Sequence, residues 1–213
     1  MKRCLIISGG YEPHRPHEAA ARVARLLEPE GFEIRQADRL EAYDEEDLSA
    51  FDLIVPNWTL GEMSVETSKR LWAAIAAGTG LGGFHGGMVD GFRFNERFRF
   101  IVGGAYAAEP GGVRLYRVNI TRPDDPIVAD IQDFDYVSEQ YYLHVDPAVE
   151  VLASTRFTDD PYPWLAGVEM PVVWKKAFGA GRVFFSALGH FPEEFDNPAM
   201  STLLKRGLLW AAR

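Results

Sequence analysis

The residues of this chain best suited to chemistry are histidines that follow glycines. His85 stands inside Gly82-Gly83-Phe84-His85-Gly86-Gly87, and Gly189-His190 ends the strongly apolar run from Arg182 to Leu188. Small neighbours let the backbone at His85 turn sharply and leave room for a ligand above it. In open α/β sheets, ligands bind at the carboxyl ends of strands. His85 and His190 are therefore expected at one sheet edge, where an imidazole can move protons or hold a metal. The alternative for His85 is a ring that only caps a turn through one nitrogen.

Other candidates join them. His14 and His17 follow the first apolar run across the Gly9-Gly10 break. Both could face one ligand, or simply be solvated near a helix start. Glu139 lies beside Tyr141 and Tyr142. A partly buried carboxyl among aromatics is expected to have its pKa pushed toward neutrality, which suits a general acid or base; the alternative is a surface acid. Asn57-Trp58 ends a third apolar run, where Trp58 could stack on a sugar or be a core-edge tryptophan. His144 has no clear strand context and stays outside the candidate site. His14, His85, His190 and Glu139 are also suitable donors for zinc or a similar divalent ion. Their spacing forms no compact metal motif, so that reading rests on convergence in space.

The elements that would position these residues read in order. Residues 3–8 are a continuous apolar run, as in a strand buried on both faces. A helix follows, with Ala20, Val23, Ala24 and Leu27 at helical spacing and Gly31 beyond its end. Residues 32–35 alternate as a second strand, and 51–56 form a third. Ser64 is an N-cap for a helix to residue 77, with Gly78 as its stop, and it returns to the strand before His85. Strand and helix alternating in this way predict a doubly wound α/β sheet. The aromatic and arginine-rich stretch 92–101 is expected to be helical or irregular and to cover the site. Further strands are expected at 111–121, 149–154, 170–177 and 182–188, with a loop over 156–168 and a closing helix at 199–212. No repeat or linker interrupts the chain, so residues 1–213 read as one domain.

Composition narrows the function classes. Hydrophobic residues make up 47% of the 213 positions and charged residues 25%, as in a folded globular domain. Lys and Arg number 22 against 31 Asp and Glu, a net charge of −9 that argues against nucleic acid as a partner. No apolar stretch approaches the ~20 residues that span a bilayer. The single cysteine, Cys4, sits in the first apolar run and reads as core. It permits no intrachain disulfide, in keeping with a cytoplasmic protein.

Taken together, the chain resembles the ThuA-like family of trehalose-utilisation proteins, which share the class I glutamine amidotransferase-like, flavodoxin-like fold. The resemblance is carried by Gly9-Gly10 with His14 and His17, by the turn at His85 followed by Val102-Gly103-Gly104, and by Tyr136-Val137-Ser138-Glu139-Gln140-Tyr141. Its end adds Pro171-Val172-Val173-Trp174, Gly179-Ala180-Gly181-Arg182, Gly189-His190 and Arg206-Gly207-Leu208-Leu209-Trp210. The resemblance implies a mostly parallel sheet with helices on both faces. Related amidotransferases carry a cysteine nucleophile at the sharp turn, where this chain has His85, so glutamine hydrolysis through a thioester is not available. His190-Phe191-Pro192-Glu193 is only faintly similar to the histidine and glutamate of that triad. The family is linked to trehalose and related disaccharides, alongside dehydrogenases that make keto-sugars. The expected ligand is thus a small carbohydrate, with a second copy or a sugar dehydrogenase as candidate partners. Two functions follow. One is an enzyme acting on a sugar or keto-sugar, with His85, His190 and Glu139 as catalytic groups and His14, His17, Asn57, Trp58 and Tyr141 shaping the pocket. The other is a non-catalytic sugar-binding or regulatory module.

Overall fold

The structure is a computed structural model that describes residues 1–213. Strand β1 (Lys2–Gly10) is the centre of its first half, buried through six consecutive residues. It leads into helix α1 (Pro16–Leu27), whose proline sits in the first turn, where its missing N–H costs nothing. Ala19, Ala20, Val23, Ala24 and Leu27 form the buried stripe of α1. Next come β2 (Phe32–Ala37), the short α2 (Ala42–Glu45) and β3 (Leu53–Thr59). Helix α3 (Val65–Ala76) begins where the Ser64 hydroxyl accepts the Thr67 N–H at 3.0 Å. Then follow β4 (Gly80–Phe84), α4 (His85–Val89), α5 (Glu96–Val102) and β5 (Gly104–Ala108). Strands β6 (Val113–Ile120), β7 (Phe134–Glu139), β8 (Tyr142–Val145), β9 (Glu150–Arg156), β10 (Glu169–Phe178) and β11 (Gly181–Ser186) precede the last helix, α6 (Pro198–Ala211).

Nine strands form one sheet in the order β2-β1-β3-β4-β11-β10-β9-β6-β7. The first five pair in parallel. From β11 outward the pairing is antiparallel, so the sheet is mixed, with its parallel part in the first half. Strands β5 and β8 form a separate antiparallel pair. Helices α1 and α6 pack on one another and on β1, β4 and β11, while α3 and α5 pack together against β11, which clothes both faces of the parallel half.

Glycine allows α6 to sit close to the sheet. A Cβ at Gly207 would stand 2.1 Å from the Phe184 ring, and one at Gly80 would stand 2.2 Å from the Ala211 carbonyl oxygen. This anchors β4 and β11, the two strands that carry His85 and His190 at their ends. Cys4 is fully buried in β1, where burial pushes its thiol up and leaves it un-ionised. The stretch 92–101 does become helical in α5, but it packs on α3 and does not cover the site, and Phe94 and Phe100 are left exposed. No helix is long and apolar enough to cross a membrane.

Candidate functional site

At the β4-to-α4 junction His85 has φ +48°, a left-handed conformation that costs a non-glycine residue about 1–2 kcal/mol. That sharp elbow turns the ring into the sheet edge. Its Nδ1 lies 3.1 Å from the carbonyl oxygen of Ala187, just past β11. With Nδ1 directed at that carbonyl, Nε2 faces the site. Nε2 is 2.7 Å from the Tyr141 hydroxyl, 3.0 Å from His190 Nδ1 and 3.3 Å from Glu139 Oε2. The same Glu139 oxygen is 3.2 Å from His190 Nδ1.

His14 closes the group from the short 3-10 turn Glu12–His14 after β1. Its ring centroid lies 4.9 Å from those of both His85 and His190, and Nδ1 is held 3.1 Å from the Thr59 hydroxyl. Gly86 makes that approach possible, since a Cβ there would stand 2.8 Å from Thr59 Oγ1 and 3.1 Å from His14 Cε1. Four donors, from His14, His85, Glu139 and His190, thus lie within 4.8 Å of one another. The Tyr141 ring stacks on His85 at 4.4 Å.

Electrostatics correct one expectation. Burial raises the Glu139 carboxyl, but hydrogen bonds from His190 and His85, and then their charges, outweigh it and hold it well below the usual carboxylate range. Glu139 is an anion clasped by imidazoles, not a near-neutral acid. Burial, aided by the charges of His85 and His190, lowers His14 to about 3, so it stays an uncharged imidazole near neutrality. Tyr141 is pushed well above the ordinary phenol value by burial first and by the Glu139 charge next, so it remains an O–H donor.

Glu194 was missed in the sequence. One of its oxygens accepts the backbone N–H of Gly189 at 3.0 Å and of His190 at 3.1 Å, together with the Tyr136 hydroxyl at 2.5 Å. The other accepts the Phe191 N–H at 3.2 Å. It therefore ties the loop that bears His190 to β7, the strand that bears Glu139. Its place as the third residue of the turn Pro192–Asp196 is the signal that could have found it. Glu193, the acid singled out with His190, is instead exposed and pairs with Arg15 at 2.5 Å. Hydrogen bonds to a charged group contribute about 1.5–3 kcal/mol each. Glu194→Ala is expected to lower the thermal midpoint clearly more than Tyr136→Phe, which removes only one of the four bonds; equal midpoints would contradict the clamp.

Three candidates are not drawn into the cluster. His17 is exposed on α1, with Nδ1 3.3 Å from the Ser8 hydroxyl. Asn57 donates its amide to the Pro16 carbonyl at 2.7 Å, fastening β3 to the start of α1. Trp58 lies against backbone: Cβ atoms at Gly9, Gly10 and Gly61 would all fall within 2.9 Å of its ring. The tryptophan is spent on packing the strand ends. His144 lies on β8, lining a separate cleft of about 350 Å³ with Glu96 and Asp146.

A histidine stands at the strand-to-helix elbow of an open α/β sheet whose one thiol is buried elsewhere, an arrangement that fits an amidotransferase-like fold with no cysteine at that turn. The chain belongs to the ThuA family, whose model, described as trehalose utilisation, matches residues 3–211. Its fold is similar to that of a ThuA-like protein from Bacteroides uniformis ATCC 8492, with 20% identity, 99% of this chain and 91% of that chain covered and a TM-score of 0.80. A ThuA-like protein from Parabacteroides merdae ATCC 43184 is 18% identical over 99% of this chain and 89% of its own, with a TM-score of 0.78. A cytoplasmic protein of Salmonella typhimurium LT2 matches over the whole of both chains at 12% identity and a TM-score of 0.67. At these identities the likeness is one of fold. No curated protein matches the sequence.

Proposed function

We propose that this protein is an enzyme of disaccharide utilisation that acts at the carbon beside a carbonyl of a sugar or keto-sugar. The observation that carries the reading is the convergence of three imidazoles and one carboxylate on a single point at the sheet edge. The sugar class comes from the trehalose-utilisation family to which the chain belongs. Transfer of the proton beside the carbonyl to a ring nitrogen of His85 or His190 places negative charge on the carbonyl oxygen, and preorganised donors lower that barrier. The cluster stabilises the developing charge, and the Tyr141 hydroxyl supplies a neutral donor beside it. Glu139 keeps the imidazoles oriented and balances their charge.

Tyr141→Phe removes one donor while preserving the ring that stacks on His85. Turnover is expected to fall by roughly 10²-fold with the thermal midpoint little changed, as for loss of one oxyanion donor. The test is a screen of keto-disaccharides and their parent sugars with native protein and this variant. Turnover equal in both would remove Tyr141 from the chemistry, and no turnover of any sugar by native protein would overturn the enzyme reading.

One observation favours the second reading, a sugar-binding or regulatory module. Five clefts of about 260 to 540 Å³ include none of the four cluster residues. A module of this kind would bind a sugar without turnover and with no dependence on Tyr141.

A further inference from the structure

We infer that His14, His85, Glu139 and His190 form a binding site for one first-row divalent transition-metal ion. The inference deepens the reading above, because the ion would occupy the same centre and there polarise oxygens of the sugar. It rests first on donor spacing. His85 Nε2, His190 Nδ1 and Glu139 Oε2 form a triangle with sides of 3.0, 3.2 and 3.3 Å. Donors bound to a zinc-sized ion at ~2.0–2.1 Å stand roughly 3 Å apart, so a single ion fits against this triangle without rearrangement. His14 completes the set within 4.8 Å.

The outer contacts of the histidines point the same way. A metal-bound imidazole commonly donates its other N–H to a carbonyl, carboxylate or hydroxyl, which fixes the ring and its tautomer. His85 directs Nδ1 to the Ala187 carbonyl and leaves Nε2 for the ion. In His14 the Thr59 hydroxyl occupies Nδ1, leaving Nε2. The Glu194 carboxylate holds the backbone of His190 on both sides, so this donor is fixed by its main chain. Three donors follow the ends of the parallel strands β1, β4 and β11, and the fourth comes from β7, which Glu194 fastens to the loop after β11.

Donor chemistry selects the ion. Three imidazoles and one carboxylate suit zinc, manganese, iron, cobalt or nickel, whereas calcium and magnesium take oxygen-dominated sets. With five or six ligands, such an ion keeps one or two positions for a sugar's adjacent hydroxyl and carbonyl oxygens. The Tyr141 hydroxyl, 2.7 Å from His85 Nε2, borders those positions.

The test uses the full chain made without a histidine tag, stripped with a chelator and titrated with Co²⁺ and then Zn²⁺. The expected result is close to one ion per chain, with visible Co²⁺ absorption that Zn²⁺ displaces. Glu139→Gln should abolish stoichiometric binding. Thr59→Val, which changes no donor and conserves shape, should weaken it by about 10–100-fold. Folded native protein that takes up neither ion would overturn the inference, as would unchanged binding in Glu139→Gln. Because binding is read without sugar, the two readings fail separately. A bound ion with no sugar turnover removes only the enzyme, and full turnover by stripped protein removes only the ion.

Discussion

His85→Asn is expected to lower turnover of a keto-disaccharide by about 10²–10⁴-fold while leaving the fold intact. The choice of asparagine follows from the backbone. His85 sits at φ +48°, and Asn tolerates the left-handed region better than other non-glycine residues. His85→Ala would combine loss of the ring with added backbone strain, and the two effects could not be told apart. Asn keeps the elbow but withdraws the Nε2 atom that meets Tyr141, His190 and Glu139. Kinetics should therefore change far more than stability, with circular dichroism and the thermal midpoint close to native. Native turnover in the Asn variant would show that the ring only caps the turn.

Asp146→Ala is expected to be the most destabilising of the single changes considered. Lys176 lies on β10 at 5% exposure, its ammonium 2.6 Å from Asp146 Oδ2, 2.7 Å from the Phe100 carbonyl and 4.6 Å from the Phe100 ring centroid. Removing the carboxylate leaves a buried charge without its counter-ion, at a cost of about 3–5 kcal/mol. In a domain of this size that corresponds to a fall of roughly 10 °C in the thermal midpoint. Lys176→Met, which removes the charge and keeps the stem, should cost much less. The sign of the pH dependence follows from the carboxyl. Its hydrogen bond from Lys176, then that from the Ala148 N–H, lowers the folded pKa of Asp146 below its ordinary value. The pair's contribution is therefore complete above the ordinary aspartate pKa and is lost as pH falls through the folded value. Acid should thus narrow the gap between native and Asp146→Ala, and equal midpoints at neutral pH would contradict the account.

The legible parts of the molecule were those marked by local pattern. Apolar runs ending in Gly82-Gly83-Phe84-His85 and Gly189-His190 fixed two strands and the edge at which they end, because in parallel strands sequence direction gives spatial direction. What lay across the sheet was less legible. Nothing in β6 or β9 tells which neighbour each will pair with, so the antiparallel half was not foreseen. Strands β5 and β8 are too short to show alternation. The Glu139 carboxyl was expected to rise because its neighbours in sequence are tyrosines, yet the groups that decide its state, His85 and His190, are distant in the chain. Trp58 and Asn57 stood at a strand end as a ligand site requires, but the glycines under the indole and the Pro16 carbonyl could be seen only in three dimensions. Glu194 escaped notice for the same reason: its partners are backbone N–H groups and a tyrosine from another strand.

The most direct test of the sugar chemistry is solvent deuterium exchange. Native protein would be incubated with a keto-disaccharide in D₂O and the sugar followed by NMR. The account predicts deuterium entering the carbon beside the carbonyl, with the exchange lost in Glu139→Gln. A keto-disaccharide that binds but neither exchanges nor is consumed would contradict it and leave a sugar-binding module in its place.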